Sequence, residues 1–462
     1  MNRIVILGLA CALGALILTV QLVRRRRGAL LDPVELAGWL YFVCFVAIPV
    51  CLQLLDLSVY WETAWRWIFR HPFTDDAFVY ASLIAFMGYP LILAGARCGE
   101  ALLVTVTRVR RLPPGVVHDR SPETDLVFAG SVALLLGTVS LVLYAQSIGG
   151  IVPLLLEGIL FRGDNPPVVS NLAFLKNVAT VVLGASYCFY ALRASVQRGI
   201  TRQIVGALLL VSFCLSFIVL YHGAGRLVLI AYLVAFPLAR MSQGGRWQWR
   251  MMLVLTTLAL GVVLFGKQLF LLRSGPEGLL ARWATVRGDA SRAFTDVMME
   301  FSFPYLTLAN TSVDVPNVSP YRFFADVPLA GLYLVPQRVF GLTHPQSVSM
   351  VNTELVTDGG SGTIPVDLLS FGYFSVGLIG VVAVSLAFGA ALTLCEPVFS
   401  GRKGAVFRMA LLFFMAFRVM YGDPVLAAQA GFNLILIVAL LLLPRALRHA
   451  LSRPGTRRMA IA

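Results

Sequence analysis

The sequence predicts an all-α integral membrane protein, a polytopic bundle of about 11 transmembrane helices with a range of 10–12. Three observations favour this class. Hydrophobic residues make up 58% of the 462 residues, and the mean hydropathy is +0.82. Charged residues make up only 13%, whereas soluble proteins carry roughly a quarter. A soluble globular fold and a disordered chain are therefore both disfavoured.

Apolar runs of suitable length occur along most of the chain. Because lipid offers no hydrogen-bond partners to an irregular backbone, each run is predicted to be a helix. The runs at 227–240 and 405–421 are the shortest. The predicted spans are 4–23, 34–55, 77–96, 125–147, 176–194, 204–221, 227–240, 251–268, 371–395, 405–421 and 425–443.

The distribution of basic residues predicts the orientation of the bundle. Lys and Arg concentrate in alternate connections, among them Arg24–Arg27, the cluster around Arg110, and the C-terminal tail from Arg445. Because basic residues favour the cytoplasmic side, we expect a periplasmic N-terminus and a cytoplasmic C-terminus. The net charge of +14 is then explained by topology, and we expect no nucleic-acid partner.

The spans divide the chain into three parts. Residues 1–268 hold transmembrane helices 1–8, residues 269–370 form one large periplasmic loop, and residues 371–462 hold helices 9–11 and a basic cytoplasmic tail. Within the loop, residues 277–310 are predicted to form an amphipathic helix, lying on the membrane surface or on the other helices. Its apolar face carries Phe294, Val297, Met298 and Phe301.

Common catalytic and metal-binding motifs are absent from the sequence. There is no phosphate-binding P-loop, no H-E-x-x-H zinc motif and no G-x-S-x-G nucleophile motif. The cysteines lie in or at the ends of the spans, without C-x-x-C spacing. We therefore expect no metal and no cofactor. The spans also lack deeply placed acidic residues, which argues against ion-coupled transport.

Three passages on the predicted outer face resemble one known family. The first is Leu154–Gly163, the second is Tyr221–Arg226 at a very short turn, and the third extends from Tyr333 to Gly380. Together with one large outer loop before the last spans, they resemble the bacterial O-antigen and exopolysaccharide repeat-unit polymerases, the Wzy-type family. The paired R-x10-G arms of some members are not found. His344 is followed by Pro345, so the His-Ser/Thr motif of the related ligases is absent too, which favours a polymerase.

The resemblance implies a GT-C-like fold and a membrane glycosyltransferase in the bacterial cell inner membrane, active on its periplasmic face. Such an enzyme transfers a growing glycan from undecaprenyl diphosphate to an incoming lipid-linked oligosaccharide repeat unit, and undecaprenyl diphosphate leaves. The implied partners are the lipid-linked glycans, the lipid bilayer and a chain-length regulator protein. Two alternatives stay open: an O-antigen ligase that transfers polymer to lipid A-core, and a lipid-linked oligosaccharide flippase or other transporter.

This chemistry requires cations for the leaving diphosphate and a base for the acceptor hydroxyl. Arginine suits diphosphate because its planar fork makes bidentate charge-assisted bonds. Arg226 is the first candidate because it follows Gly223 and Gly225 at a helix start, where free N–H groups also favour an anion; snorkelling at the end of a span is the alternative. The other candidates for diphosphate binding are Arg162, Arg287, Arg292, Arg338 and Arg418.

Some of these candidates have alternative roles. Arg418 falls within a predicted span, where arginine is usually functional, but an ion pair with Asp423 would account for it equally well. Arg162 could pair with Asp164. The candidate bases are Glu300, His344 and Asp367, with Asp358 as a further acidic residue in the same loop.

Overall fold

The computed structural model of the protein describes most of the chain. The described residues are 2–26, 32–54, 74–109, 116–117, 122–156, 170–196, 199–223, 225–242, 253–254, 257, 261, 280, 283–284, 287–288, 290–336, 340–341, 343–357 and 363–452. Throughout these ranges the regular elements are helical, with a single isolated bridge between Val117 and Phe399. The predicted all-α class is confirmed at this level.

Long helices make up the bundle, and they are numbered here in chain order. They are α1 Asn2–Arg26, α2 Pro33–Leu54 with a π-helical turn at Val43–Ala47, α3 Asp75–Val109, α4 Glu123–Ser147, α5 Phe174–Ser195, α6 Ile200–His222, α7 Arg226–Met241, α8 Ala290–Asp314, α9 Asp326–Leu332, α10 Val348–Val356, α11 Leu368–Leu394, α12 Gly401–Ala416 and α13 Pro424–Ser452.

Eight helices of the described ranges are long and apolar enough to cross a membrane, which supports a multi-pass membrane protein. They are α1 to α6, α11 and α13. The two shortest predicted spans correspond to α7 and α12, of 16 residues each. The predicted span 251–268 lies outside the described residues except for four positions, 253, 254, 257 and 261.

Several basic helix ends that the sequence assigns to the cytoplasm meet at one end of the bundle, which we call the basic end. Arg445 donates to the Asp125 carboxylate at 3.2 Å and to the backbone oxygen of Val116 at 2.7 Å. The neighbouring Ser400 amide donates to Val117 at 2.9 Å. The two contacts of Arg445 join segments that lie 320 and 329 residues apart in sequence. We call the other end of the bundle the opposite end.

The largest helix pair, α3 with α11, packs through small residues. A Cβ atom at Gly95 would collide with the backbone oxygen of Leu386, and one at Gly389 would collide with that of Ile92. Side chains at these positions would therefore separate the two backbones. Close approach of this kind is how helices pack tightly in lipid, where no hydrophobic force between them is available.

Helix α11 is broken near its start, although the sequence predicts a continuous span over 371–395. Val376 has φ −153° and Gly377 has φ +63°, a left-handed conformation that glycine adopts without strain. The break brings Gly372 against the backbone of Gly380. It also leaves the carbonyl groups of Phe374 and Ser375 without their usual helical partners, since the residues that follow are not helical.

A turn from the predicted periplasmic loop pairs with these carbonyl groups. The Arg322 amide donates to Phe374 and the Phe323 amide donates to Ser375, both at 2.9 Å. To do so the chain places Phe323 and Phe324 at φ +49° and +59°, an uncommon conformation for bulky residues. The amides of the turn therefore pair with the carbonyl groups at the break. This pairing depends on a contact between segments that are distant in sequence.

The predicted periplasmic loop also enters the core of the bundle. In α8, Tyr305 and the following residues up to Ala309 are fully buried. The Tyr305 hydroxyl donates to the backbone oxygen of Phe78 at 3.0 Å and lies 2.8 Å from the Ser82 hydroxyl. The C-terminal half of α8 thus packs on the other helices and not on the membrane surface, because its face is covered by α3 and α11.

We expect Gly389→Ala to lower the melting temperature although alanine is the better helix former. The added methyl group must push α3 and α11 apart, and overpacking costs about 1–3 kcal/mol. Gly8→Ala is the matched control, since a Cβ at Gly8 in α1 meets nothing within 4 Å. Thermal unfolding of the purified proteins in detergent measures both; equal melting temperatures for the two variants would contradict the close α3–α11 packing.

Candidate functional site

Three fully buried aspartates organise the opposite end of the bundle. Asp367 accepts from the amides of Leu369 at 2.9 Å and Ser370 at 3.1 Å, which caps α11. Asp423 accepts from the Val425 amide at 2.7 Å, which caps α13. Carboxylates suit helix starts because these carry unpaired N–H groups and a partial positive charge.

The third aspartate holds a helix of the predicted loop. Asp326 accepts from the Val348 amide at 2.8 Å, and Asp423 also accepts from the Ser349 amide at 3.3 Å. The N-terminus of α10 therefore receives two carboxylates from other elements. Arg322 balances one of them, since its Nε and Nη2 atoms donate to Asp326 at 2.7 and 2.9 Å. We call the group of Arg322, Asp326, Asp367 and Asp423 the carboxylate hub.

Asp367, a candidate base, has its oxygens occupied by this capping role. Besides the two amides, the Ser370 hydroxyl donates to it. Burial raises the pKa of Asp367 to about 7, while the hydrogen bonds from Ser370 and Leu369 act in the opposite direction. The geometry thus favours a cap at the start of α11 over a group free to take a proton from a substrate.

His344, the second candidate base, lies beside the carboxylate hub. Its half-buried ring meets the Tyr333 ring edge-on with centroids 4.8 Å apart. Both ring nitrogens are buried and have no hydrogen-bond partner among the described residues. Tyr333 packs against the cluster of Leu329, Ala330 and Val425, and burial together with the nearby Asp423 carboxylate raises the pKa of the Tyr333 hydroxyl.

Arg418 lies in the short turn after α12 and lines a cleft. Its Nε donates to the backbone oxygen of Phe414 at 3.1 Å, and its guanidinium lies 4.8 Å from the centroid of the Phe414 ring. Its Nη1 atom is buried and has no hydrogen-bond partner among the described residues. The expected ion pair with Asp423 does not form in the described structure, because the carboxylate of Asp423 is directed to helix N-termini instead.

The cleft lies between α5, α7, α12 and α13, is open on one side and has a cavity volume of about 80 Å³. Arg418 is the one charged residue among the described residues that line it, and Asn433 carries the one side-chain amide. The remaining lining is aromatic or aliphatic: Leu183, Tyr187, Val228, Ala231, Tyr232, Ala410, Phe413, Phe414, Phe417, Ala430 and Leu434. An apolar cleft with one unpaired cation suits an amphiphilic anion.

Arg226, the first sequence candidate, begins a helix that borders the same cleft. It is the first residue of α7, and Val228 in the first turn of that helix lines the cleft. Gly225 at the N-cap makes no side-chain hydrogen bond to the helix start. The side chain of Arg226 itself is outside the described part. Two predicted arginines that are 192 positions apart in the sequence are thus brought to helices bordering one cleft.

The other predicted residues are not joined to this cleft by the described contacts. Arg162, Arg338 and Asp358 lie outside the described residues. Arg292 and Glu300 belong to α8, and their side chains lie outside the described part as well. Arg287 is exposed.

His222, within a passage that carries the family resemblance, is a buried structural residue. Its Nδ1 lies 2.8 Å from the Leu154 backbone oxygen, and its Nε2 lies 3.1 Å from the Tyr144 hydroxyl. These contacts connect two of the resembling passages, because Leu154 belongs to the first and His222 to the second. The ring therefore holds the end of α6 to the chain that follows α4.

Sequence reasoning missed several residues that shape this end of the bundle. Arg322 and Asp326 are four positions apart, a spacing at which ion pairs form on helices and turns. Asp423 before Pro424 is a helix-start signal, but it was read only as a partner for Arg418. Tyr187, Tyr232 and Asn433 carry no local signal, since each is one residue within an apolar span.

Comparison of the chain with models of protein families, with curated proteins and with solved structures gives no match.

We expect Asp367→Asn to reduce the loss of stability that the protein undergoes between about pH 4 and pH 7. The folded-state pKa of about 7 lies above the ordinary value of 3.8, so Asp367 stabilises the fold fully below pH 4, and this contribution is lost as pH rises through 7. Asparagine stays neutral and still caps a helix. Melting temperatures measured across this range test the expectation.

The control for this experiment is Asp75→Asn, which changes an exposed aspartate at the start of α3. Its pH profile should follow that of the wild-type protein. Parallel profiles for wild type and Asp367→Asn would show that Asp367 titrates alike in the folded and unfolded chains.

Proposed function

We propose that the protein polymerises undecaprenyl-diphosphate-linked oligosaccharide repeat units at the periplasmic face of the bacterial inner membrane. In this reaction a hydroxyl of the incoming lipid-linked unit attacks the anomeric carbon of the growing glycan. The bond between that carbon and the diphosphate oxygen breaks, and its electron pair leaves with undecaprenyl diphosphate. The family resemblance motivates the proposal, and one structural observation supports it.

That observation is the buried guanidinium of Arg418 in an apolar cleft, whose Nη1 atom has no hydrogen-bond partner among the described residues. Burying a cation without a partner costs free energy, so such a group is seldom kept without a purpose. A diphosphate would supply two or more charge-assisted hydrogen bonds to the free Nη1 side of the guanidinium. In the low-dielectric cleft these bonds would strengthen as negative charge accumulates on the leaving group, which is the form of stabilisation that accelerates a reaction.

The lining of the cleft supports a lipid-linked substrate over a soluble one. Isoprenoid units are apolar, and the aromatic and aliphatic side chains beneath Arg418 offer them a matching surface. The cleft is lined by the first two turns of α7 and reaches Asn433, nine residues into α13, and the starts of both helices are the predicted periplasmic ends. At 1.5 Å per residue this is a depth of about 13 Å, or nearly half of a hydrocarbon core of about 30 Å.

The start of α7 would contribute a second anion-binding element in this proposal. Its N–H groups face no side-chain cap from Gly225, and Arg226 is its first residue. A helix N-terminus favours phosphate through both its free donors and its dipole. Arg226 and Arg418 would then approach the diphosphate from two helices, with the glycan extending toward the predicted periplasm.

The base that accepts the hydroxyl proton would come from the remaining candidates, His344 and Glu300. The ring nitrogens of His344 have no hydrogen-bond partner among the residues that the structure describes, whereas the oxygens of Asp367 are already occupied. Stabilisation of the leaving diphosphate is expected to matter more than the base, because charge accumulates chiefly on the leaving group. No nucleotide or metal enters this mechanism.

We expect Arg418→Gln to lower the rate of chain growth by about 100-fold or more, the usual effect of removing one donor to developing charge. The assay mixes purified protein with lipid-linked repeat units and follows glycan length. The melting temperature should stay the same or rise, because the substitution removes a buried, unpaired charge. Loss of activity together with loss of folding would argue for a structural role instead.

Arg408→Gln is the matched control. Arg408 belongs to α12 but faces the basic end of the bundle, where it pairs with Glu396 at 3.3 Å. Its removal should leave chain growth near the wild-type rate. An equal loss of activity in both variants would contradict a specific role for Arg418.

The same substitution in cells separates the three candidate functions. A polymerase defect leaves single repeat units without ladders of longer glycans. A ligase defect leaves long polymer that is not attached to lipid A-core, and a flippase defect leaves repeat units on the cytoplasmic side. Either of the last two outcomes, with Arg418→Gln protein folded and inserted, would overturn the polymerase proposal.

A further inference from the structure

The segment Tyr321–Pro336 has the polarity of a surface that faces lipid, although the sequence assigns it to the periplasmic loop. Its exposed residues are all apolar. They are Phe323, Ala325, Val327, Pro328, Gly331, Leu332 and Val335. A water-facing loop of this length would present charged and hydrogen-bonding side chains instead.

The two charged residues of the segment are turned toward the protein. Asp326 is fully buried, and only 18% of the Arg322 side chain is exposed. Arg322 uses its Nη2 atom for Asp326 and also for the backbone oxygen of Gln346, the latter at 2.7 Å. The segment is therefore charged inside and apolar outside, the inverse of an ordinary surface loop.

The segment is attached to α11 at the break in that helix. The amides of Arg322 and Phe323 pair with the carbonyl groups at the break in α11, so Phe323 lies close to the residues that follow the break. Those residues, Leu378 and Ile379, are 53% and 74% exposed, and Phe323 is 73% exposed. Leu378 and Ile379 belong to a candidate membrane span, and Phe323 is attached to that helix at Ser375, three and four residues before these two exposed apolar side chains.

We propose that Tyr321–Pro336 is a re-entrant segment embedded in the outer leaflet, with phospholipid acyl chains as the partner of its exposed face. Its 16 residues are too few to cross the membrane, which takes about 20. Irregular backbone is tolerated at this depth where its polar groups are paired within the protein. The two hydrogen bonds to α11, the helical bonds of α9 and the turn bonds from Ala325, Val327, Leu334 and Val335 pair backbone groups of the segment in this way. The proposal stands whether or not the protein is a polymerase.

Site-directed spin labelling in lipid vesicles tests this placement. A nitroxide is attached at Phe323→Cys in the full chain, reconstituted in phosphatidylethanolamine and phosphatidylglycerol. The background protein has the exposed or half-exposed cysteines replaced by serine and keeps the buried Cys44 and Cys188. The replaced residues are Cys11, Cys51, Cys98, Cys214 and Cys395. Collision rates with oxygen, which concentrates in lipid, and with a water-soluble nickel chelate report the environment of the label.

We expect the label at residue 323 to collide several-fold more with oxygen than with nickel, as a label at Ile379→Cys should. A label at Glu354→Cys, on the exposed face of α10, should show the reverse and serves as the water-facing control. Ala325→Cys is the second test position, because it adds a label without removing an aromatic ring and so covers the case in which the Phe323 variant does not fold.

Two results would overturn the proposal. Labels at 323 and 325 that resemble the label at 354 would put the segment in water. Low collision rates with both oxygen and the nickel chelate would mean that the segment is covered by an apolar surface of protein and not by lipid. Neither result depends on glycan transfer, so the outcome is separate from that of the polymerase assay.

Discussion

Backbone groups that lie away from water must find partners within the protein, and this constraint governs the opposite end of the bundle. Helix starts expose N–H groups, so α11 and α13 are each preceded by a buried aspartate that caps them, and the start of α10 receives the Asp326 carboxylate from another segment. The break in α11 exposes carbonyl groups, so the Arg322–Phe323 turn supplies amides. Loop helices and spans are thereby joined by hydrogen bonds that would have little value in water, where solvent competes for both partners.

Arg418 is one of several described residues, His344 among them, that keep a buried side-chain atom without a hydrogen-bond partner in the described part of the chain. The carboxylate nearest to it in the chain, Asp423, is committed to the starts of α10 and α13. The guanidinium is left with one backbone acceptor and one aromatic ring. Polar groups without hydrogen-bond partners are expected at functional sites, where a protein gives up some stability in order to bind a ligand. Because Asp423 is held by the carboxylate hub, Arg418 stays available to an anion in the cleft.

Sequence reasoning located most of the spans because hydrophobicity and length are local properties. The predicted span 125–147 corresponds closely to α4, and 204–221 corresponds to α6. Sequence reasoning failed where a structural feature depends on contacts between residues that are distant in the chain. The run 371–395 is predominantly apolar and predicts a continuous helix, whereas the break at Gly377 is accompanied by hydrogen bonds from Arg322 and Phe323, some 50 positions earlier. In the same way, the burial of Tyr305 depends on Phe78 and Ser82, more than 220 positions earlier.

The sequence by itself determined the membrane class, the approximate spans and the candidate arginines, because these follow from composition, run length and side-chain chemistry. Only the tertiary structure decided that Arg418 and the start of α7 border one cleft, that Asp367 is a cap, and that Tyr321–Pro336 turns its charges inward. The physical reason is that each of these depends on which surfaces meet across the bundle. Hydrophobicity drives helices into the membrane without specifying their neighbours, whereas steric fit and hydrogen bonds between distant residues do.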